Sequence, residues 1–161
     1  MKLNLLLDNE KGQLNGYTNI DQFTPSEKPP EDTRITGDIY PLDWICDNGE
    51  CSELIARCIL CYFPLAETGI ILTNWMNKIK VGGLIVIEEM DVELVSWALV
   101  NKQITPKQYQ KLVYGEQTKK WDIKKSGLTI SAIIDFLEGS GFKIITKRLN
   151  NMKFNVTAKR V

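Results

Sequence analysis

Residues Met1–Asp21 read MKLNLLLDNEKGQLNGYTNID, and this stretch decides the fold. Lys2–Leu7 runs from weak alternation into a continuous apolar segment, as a buried central strand does. Asp8–Gly16 is a polar loop, and Tyr17–Asp21 is a second short strand that ends in an acid. A strand, a loop and a second strand closing on Asp21 can build a ligand site, because open α/β sheets bind outside the carboxyl ends of their strands. The loop approaches the ligand and the carboxylate accepts from a ribose diol. One feature departs from that pattern. The loop opens Leu6-Leu7-Asp8, where a nucleotide-binding loop normally carries glycines.

Outward from this stretch, strands alternate with helices. Gln22–Asp32 holds Pro25, Pro29 and Pro30 among polar residues and reads as a loop without a helix. Thr33–Ile39 reads as a third short strand ending near Asp38, and Pro41–Glu50 as turns around Asp47-Asn48-Gly49. Glu53–Leu60 fits strand or helix equally well on periodicity. Leu65–Lys80 is an amphipathic helix with Ile71, Leu72, Trp75, Met76 and Ile79 on one face, stopped by Gly82-Gly83. Leu84–Ile87 is a buried strand that runs into Glu88-Glu89. A helix follows over Val92–Asn101 with Asp91 as its cap. A second starts at Thr105-Pro106, with Gln108 completing a capping box, and ends at Gly115. Thr129 caps a third, spaced by Ile130, Ile133, Ile134 and Leu137. Lys143–Leu149 and Met152–Val161, joined by Asn150-Asn151, form an antiparallel hairpin. The expectation is one α/β domain over residues 1–161, its sheet parallel for most of its width.

Composition narrows the chemistry. The 161 residues are 43% hydrophobic and 25% charged, with 20 cations against 20 anions. A zero formal charge argues against nucleic acid as the main partner. The C-terminal cations Lys143, Lys147, Arg148, Lys153, Lys159 and Arg160 read as solvated edge-strand faces. No apolar run reaches the roughly 18 residues that span a bilayer, and the short apolar start lacks a cleavage site, so a cytoplasmic protein is expected. Histidine is absent, which removes the commonest general base and metal ligand. The four cysteines, Cys46, Cys51, Cys58 and Cys61, fall in one segment partly apolar and read as reduced core thiols rather than a zinc site.

The order of segments resembles the compact class I S-adenosylmethionine-dependent methyltransferases. The resemblance is carried by Leu3-Asn4-Leu5 with Gly16-Tyr17-Thr18-Asn19-Ile20-Asp21, by Gly37-Asp38-Ile39, and by Lys80-Val81-Gly82-Gly83-Leu84-Ile85-Val86-Ile87-Glu88. Tyr114-Gly115-Glu116-Gln117, Lys125-Ser126-Gly127-Leu128 and Gly139-Ser140-Gly141-Phe142 continue it. It implies a Rossmann-like seven-stranded, mostly parallel sheet with helices on both faces and an antiparallel C-terminal hairpin. It implies S-adenosylmethionine as cofactor, although Leu6, Leu7 and Asp8 stand where that family has Gly-x-Gly.

The cofactor-binding candidates under this resemblance are Asp8, Asp21, Asp38, Ile39 and Arg57. Asp21 would take the ribose hydroxyls, and Asp38 the exocyclic amine of adenine, with Ile39 on the ring face. Asp8 would accept from the cofactor's ammonium group, while Arg57 would face its carboxylate or an acidic substrate. No catalytic base stands out, which methyl transfer by proximity and in-line geometry tolerates. No metal site is expected. Two functions follow: a methyltransferase for a small-molecule acceptor, or a catalytically degenerate binding or scaffolding module that takes protein partners or self-associates.

Overall fold

The computed structural model describes residues 1–25 and 27–161, so Ser26 of the expected Gln22–Asp32 loop lies outside the described residues. Seven strands form one sheet: β1 (Lys2–Leu6), β2 (Thr18–Asp21), β3 (Ile35–Thr36), β4 (Cys51–Arg57), β5 (Ile79–Met90), β6 (Phe142–Asn150) and β7 (Lys153–Arg160). Their spatial order is β3-β2-β1-β4-β5-β7-β6. β3, β2, β1, β4 and β5 pair in parallel, whereas β7 runs antiparallel to both β5 and β6. The helices are α1 (Leu65–Lys78), α2 (Val92–Val100), α3 (Pro106–Tyr114) and α4 (Ile130–Gly139).

Strand periodicity divides the side chains between two faces. Leu3, Leu54, Ile85 and Ala158 lie in one register row, and Leu5, Ala56, Ile87 and Val156 in the next. These residues form one buried cluster with Ile71, Leu72, Trp75 and Met76 of α1 and with Ile133 and Leu137 of α4. Right-handed crossovers explain why these helices share a face. The β4-to-β5 and β5-to-β6 connections both move across the sheet in one direction. The β1-to-β2 and β2-to-β3 connections move the other way and lie on the opposite face. Among the described residues those two connections contain only one turn of 3₁₀-helix, Glu10–Gly12. The seven-stranded, mostly parallel sheet with its helices and antiparallel hairpin is as expected. The β1–β2 and β2–β3 connections carry no α-helix among the described residues because neither short, polar segment has a run of apolar residues at helical spacing.

Several boundaries moved. The ambiguous Glu53–Leu60 segment is strand through Arg57, followed by a 3₁₀ turn at Leu60–Tyr62. The expected third strand shrinks to two residues. α1 ends at Lys78, and Gly82-Gly83 kinks β5 rather than stopping the helix. Gly82 has φ +79°, and a Cβ on Gly83 would come within 3.0 Å of the carbonyl oxygens of Lys80 and Ser52. The capping box of α3 forms as read, Thr105 and Gln108 exchanging hydrogen bonds at 2.7 and 3.2 Å. The hairpin turns at Asn151-Met152, both at positive φ, one residue beyond the expected pair. Asp91 caps α2 by accepting from Glu93 and Leu94 with one oxygen, and takes the Ile130 N–H of α4 with the other. Asp91 and Leu128 are also bridged as a parallel pair.

Candidate ligand site at the ends of β1, β2 and β4

The chain reverses its sheet order between β1 and β4, and the site lies there, at the carboxyl ends of the strands. β1 delivers Leu6, which is buried, and Leu7, which is half-buried. Asp8 then adopts φ +48°, a left-handed conformation that glycine takes freely and that Asp tolerates better than most residues. Two backbone donors are thereby turned toward β2. The Asp8 and Asn9 N–H groups donate to Asp21 Oδ1 and Oδ2 at 2.8 and 3.0 Å. The Phe23 N–H adds a bond to Oδ1 at 2.9 Å, and Arg34 Nη1 one to Oδ2 at 2.9 Å. Arg34 is itself buried and holds Asp32 through Nε and Nη2 at 3.0 and 2.6 Å. That guanidinium lowers the Asp32 carboxyl to about 2, and Asp32 in turn raises Arg34.

Beneath this clasp lies an amide network. Asn4 donates to the Gly12 carbonyl at 2.9 Å and to Asn19 Oδ1 at 2.8 Å, and Asn19 Oδ1 also accepts from the Leu14 N–H at 2.9 Å. Both asparagines are buried on the side of β1 and β2 opposite Leu3 and Leu5, and they pin the β1–β2 loop there.

Two cavities open above. One of about 330 Å³ is lined by Asp8, Asn9, Arg57, Cys58, Tyr62 and Trp121. Its neighbour, of about 250 Å³, is lined by Gln22, Phe23, Tyr62, Phe63, Trp121 and Lys125, and Leu7 borders both. The segment from Gly115 to Lys125 forms their roof. Trp121 stacks on Phe23 with centroids 5.0 Å apart and meets Tyr62 edge-on at 5.5 Å. Tyr62 donates its hydroxyl to Asp122 at 3.0 Å, and Lys119 pairs with Asp8. The roof is tied to the floor by the Lys125 and Ser126 N–H groups, which donate to the Cys61 carbonyl at 2.7 and 3.1 Å.

Behind the floor, Glu89 occupies a core position of β5. Its Oε1 accepts the Ile59 and Leu60 N–H groups at 2.7 and 2.6 Å, while Oε2 has no hydrogen-bond partner among the described residues. Burial pushes this carboxyl up to about 7, against the opposing pull of the Leu60 and Ile59 amides. Burial also raises the Cys58 and Cys61 thiols and the Tyr62 phenol, so all three stay protonated at neutral pH. The four cysteines are free; Cys46, Cys51 and Cys61 are buried and Cys58 is half-buried.

Of the residues singled out from sequence, the structure brings Asp8 and Arg57 together on one cavity. Asp21 lies under the loop rather than on a cavity wall, its side chain fully buried. Asp38 is exposed, with its carbonyl taken by the Trp44 Nε1–H at 2.9 Å. Ile39 is a core residue whose carbonyl accepts Trp75 Nε1–H at 2.8 Å. Neither lines the two cavities: packing against the α1 side of the core holds Ile39, and Asp38 is turned to solvent. Sequence reading missed Phe23, Arg34, Lys119 and Trp121. The signal for the last two was the stretch Lys119-Lys120-Trp121-Asp122-Ile123-Lys124-Lys125, which places an aromatic among cations between two helices.

No protein-family description matches the sequence, and no curated protein matches it. Solved structures do. A 1,6-didemethyltoxoflavin-N1-methyltransferase from Burkholderia thailandensis, bound to 1,6-didemethyltoxoflavin and S-adenosylhomocysteine, superposes with a TM-score of 0.62 at 10% identity, over 99% of this chain and 72% of that one. A SAM-dependent methyltransferase from Methanosarcina mazei gives 0.62 at 11% identity, over 98% and 92% of the two chains. One from Archaeoglobus fulgidus gives 0.60 at 13% identity, over 99% and 86%. The fold is that of the class I S-adenosylmethionine-dependent methyltransferases. Identities this low carry the methyltransferase fold and nothing finer.

The cofactor implied by the methyltransferase fold finds some of its partners here. The Asp8 carboxylate and the Arg57 guanidinium share one cavity, which suits the zwitterionic end of S-adenosylmethionine. The aromatic rings of the second cavity suit a planar base. The acid of β2 does not suit the ribose, since its lone pairs are already taken.

Proposed function

We propose that the chain is a S-adenosylmethionine-dependent methyltransferase acting on a small-molecule acceptor. The observation that carries this reading is the pair of cavities at the switch point of a methyltransferase-type sheet. Bound there, the cofactor supplies an electrophilic methyl group. Asp8 accepts from its ammonium, exchanging Lys119 for the ligand, and Arg57 faces its carboxylate. Phe23, Phe63 and Trp121 cover the base, and the roof keeps water from the acceptor. No side chain around the cavities is a neutral-pH base of the usual kind, so the chain's contribution is positioning.

Calorimetric titration of the purified protein with S-adenosylmethionine and S-adenosylhomocysteine tests this. Saturable binding of both, weakened about tenfold or more in Asp8→Ala, is the expected result. A second reading, a methyltransferase-fold binding module without catalysis, draws on Leu6 and Leu7 in the glycine positions of the first loop. No heat from a folded protein selects it.

A further inference from the structure

We infer that this site does not read the 2′,3′-diol of its nucleoside ligand, and that Asp21 is a positioning residue for the first loop. The inference rests on the proposed cofactor and departs from the role the fold assigns to that acid. A carboxylate offers about four lone-pair sites. Asp21 fills them with the N–H groups of Asp8 and Phe23 on Oδ1 and with the Asn9 N–H and Arg34 Nη1 on Oδ2, all between 2.8 and 3.0 Å. Its side chain has no exposed surface, and its charge is met by a guanidinium that is itself buried. To receive two ribose hydroxyls the carboxylate would have to release two of these donors, and giving up the buried Arg34 Nη1 bond would leave two buried charges without their contact.

The same bonds explain why the loop survives without glycines. Asp21 fixes the amides of Asp8 and Asn9, and with them the left-handed turn at Asp8 that sets its carboxylate on the cavity. Asp21 thus acts on the ligand only through Asp8. A ligand bound in this site is gripped at its charged end and its planar base, and its sugar passes the clasp without a carboxylate partner.

The test compares S-adenosylhomocysteine with its 2′-deoxy and 3′-deoxy counterparts by calorimetry, and measures amide hydrogen exchange in the ligand-free protein. The expected result is affinities within about threefold of one another, together with protected amides at Asp8, Asn9 and Phe23. A tenfold or greater loss on removing either hydroxyl, worth about 1.4 kcal/mol, overturns the inference. So do amides that exchange at the rate of an open loop. If none of the three compounds binds while the amides are protected, the clasp stands and the methyltransferase reading falls. Asp21→Asn is expected to release protection at Asp8 or Asn9. Should that variant not fold, Arg34→Lys, which keeps the charge but loses the fork, gives the same readout at Asn9.

Discussion

The two faces of the sheet near β1 are held by different physics. On the covered face Leu3, Leu5, Leu54 and Ala56 pack against α1 in a core that is almost wholly apolar. On the other, where the β1–β2 and β2–β3 connections run without α-helices, Asn4, Asn19, Asp21 and Arg34 are buried and joined by hydrogen bonds. Packing is non-directional and its contribution scales with area. The polar face is directional: each group there has a named partner, and leaving one unmet costs more than the bond itself contributes. The β1–β2 corner of this sheet is thus held by a polar network in which bonds stand in for burial area.

The sharpest way to break the comparison is on the packed side. Trp75→Ala removes a fully buried indole and is expected to destabilise by roughly 3–5 kcal/mol, measured by urea unfolding. On the polar side, Arg34→Ala leaves Asp21 buried without its counter-charge. A loss of roughly 3 kcal/mol is expected, because removing one partner strands the other. Arg34 also holds the Asp32 carboxyl down from 3.8 to about 2, so the loss should shrink as pH falls through that range, whereas the Trp75 loss should not. Equal pH dependence for the two variants would dissolve the distinction.

Glu89 tests the comparison at a buried carboxyl that shares its side of β5 with Ile85 and Ile87. Its carboxyl is raised from 4.5 to about 7 by burial, so between those values the folded state binds more protons than the unfolded one. Stability therefore falls as pH rises from about 4.5 to about 7 and levels off above. The drop is on the order of 2–3 kcal/mol, and Glu89→Gln is expected to remove it from the difference between thermal melts at pH 5 and pH 8. The smallest effect belongs to the roof. Lys119 is half-exposed in its pair with Asp8, so Lys119→Ala is expected to change stability by less than about 1 kcal/mol. It is expected at the same time to raise affinity for an ammonium-bearing ligand. Weaker binding in that variant would show that Lys119 belongs to the site rather than competing for it.

The sheet was legible because periodicity and caps are local. Lys2–Leu6, the β5 run at Leu84–Ile87, the Thr105 box and the closing hairpin each carry their signal within a few residues. The Gly82-Gly83 kink was misjudged because a bulge and a helix stop share the same residues, and only the approach of the Ser52 carbonyl separates them. The site was less legible because its bonds span the chain. Asp21 was recognised as the acid closing β2, yet its partner Arg34 lies beyond a proline-rich loop. Nothing in local sequence says that the guanidinium folds back onto it. Trp121 likewise meets Phe23 across most of the chain's length.

The bridge between Asp91 and Leu128 has a further consequence. Everything between these two residues, α2, α3 and the segment bearing Trp121, leaves the sheet and returns to it at one point. It is in effect a cassette with a common anchor, and closing such an excursion costs only logarithmically more as it lengthens. The ceiling over the cavities can therefore be exchanged for one of another size while β5, α4 and the hairpin keep their places. On this scaffold one wall of the paired cavities, the one bearing Trp121, belongs to an insert, while the opposite walls belong to the strand ends and the loops beside them.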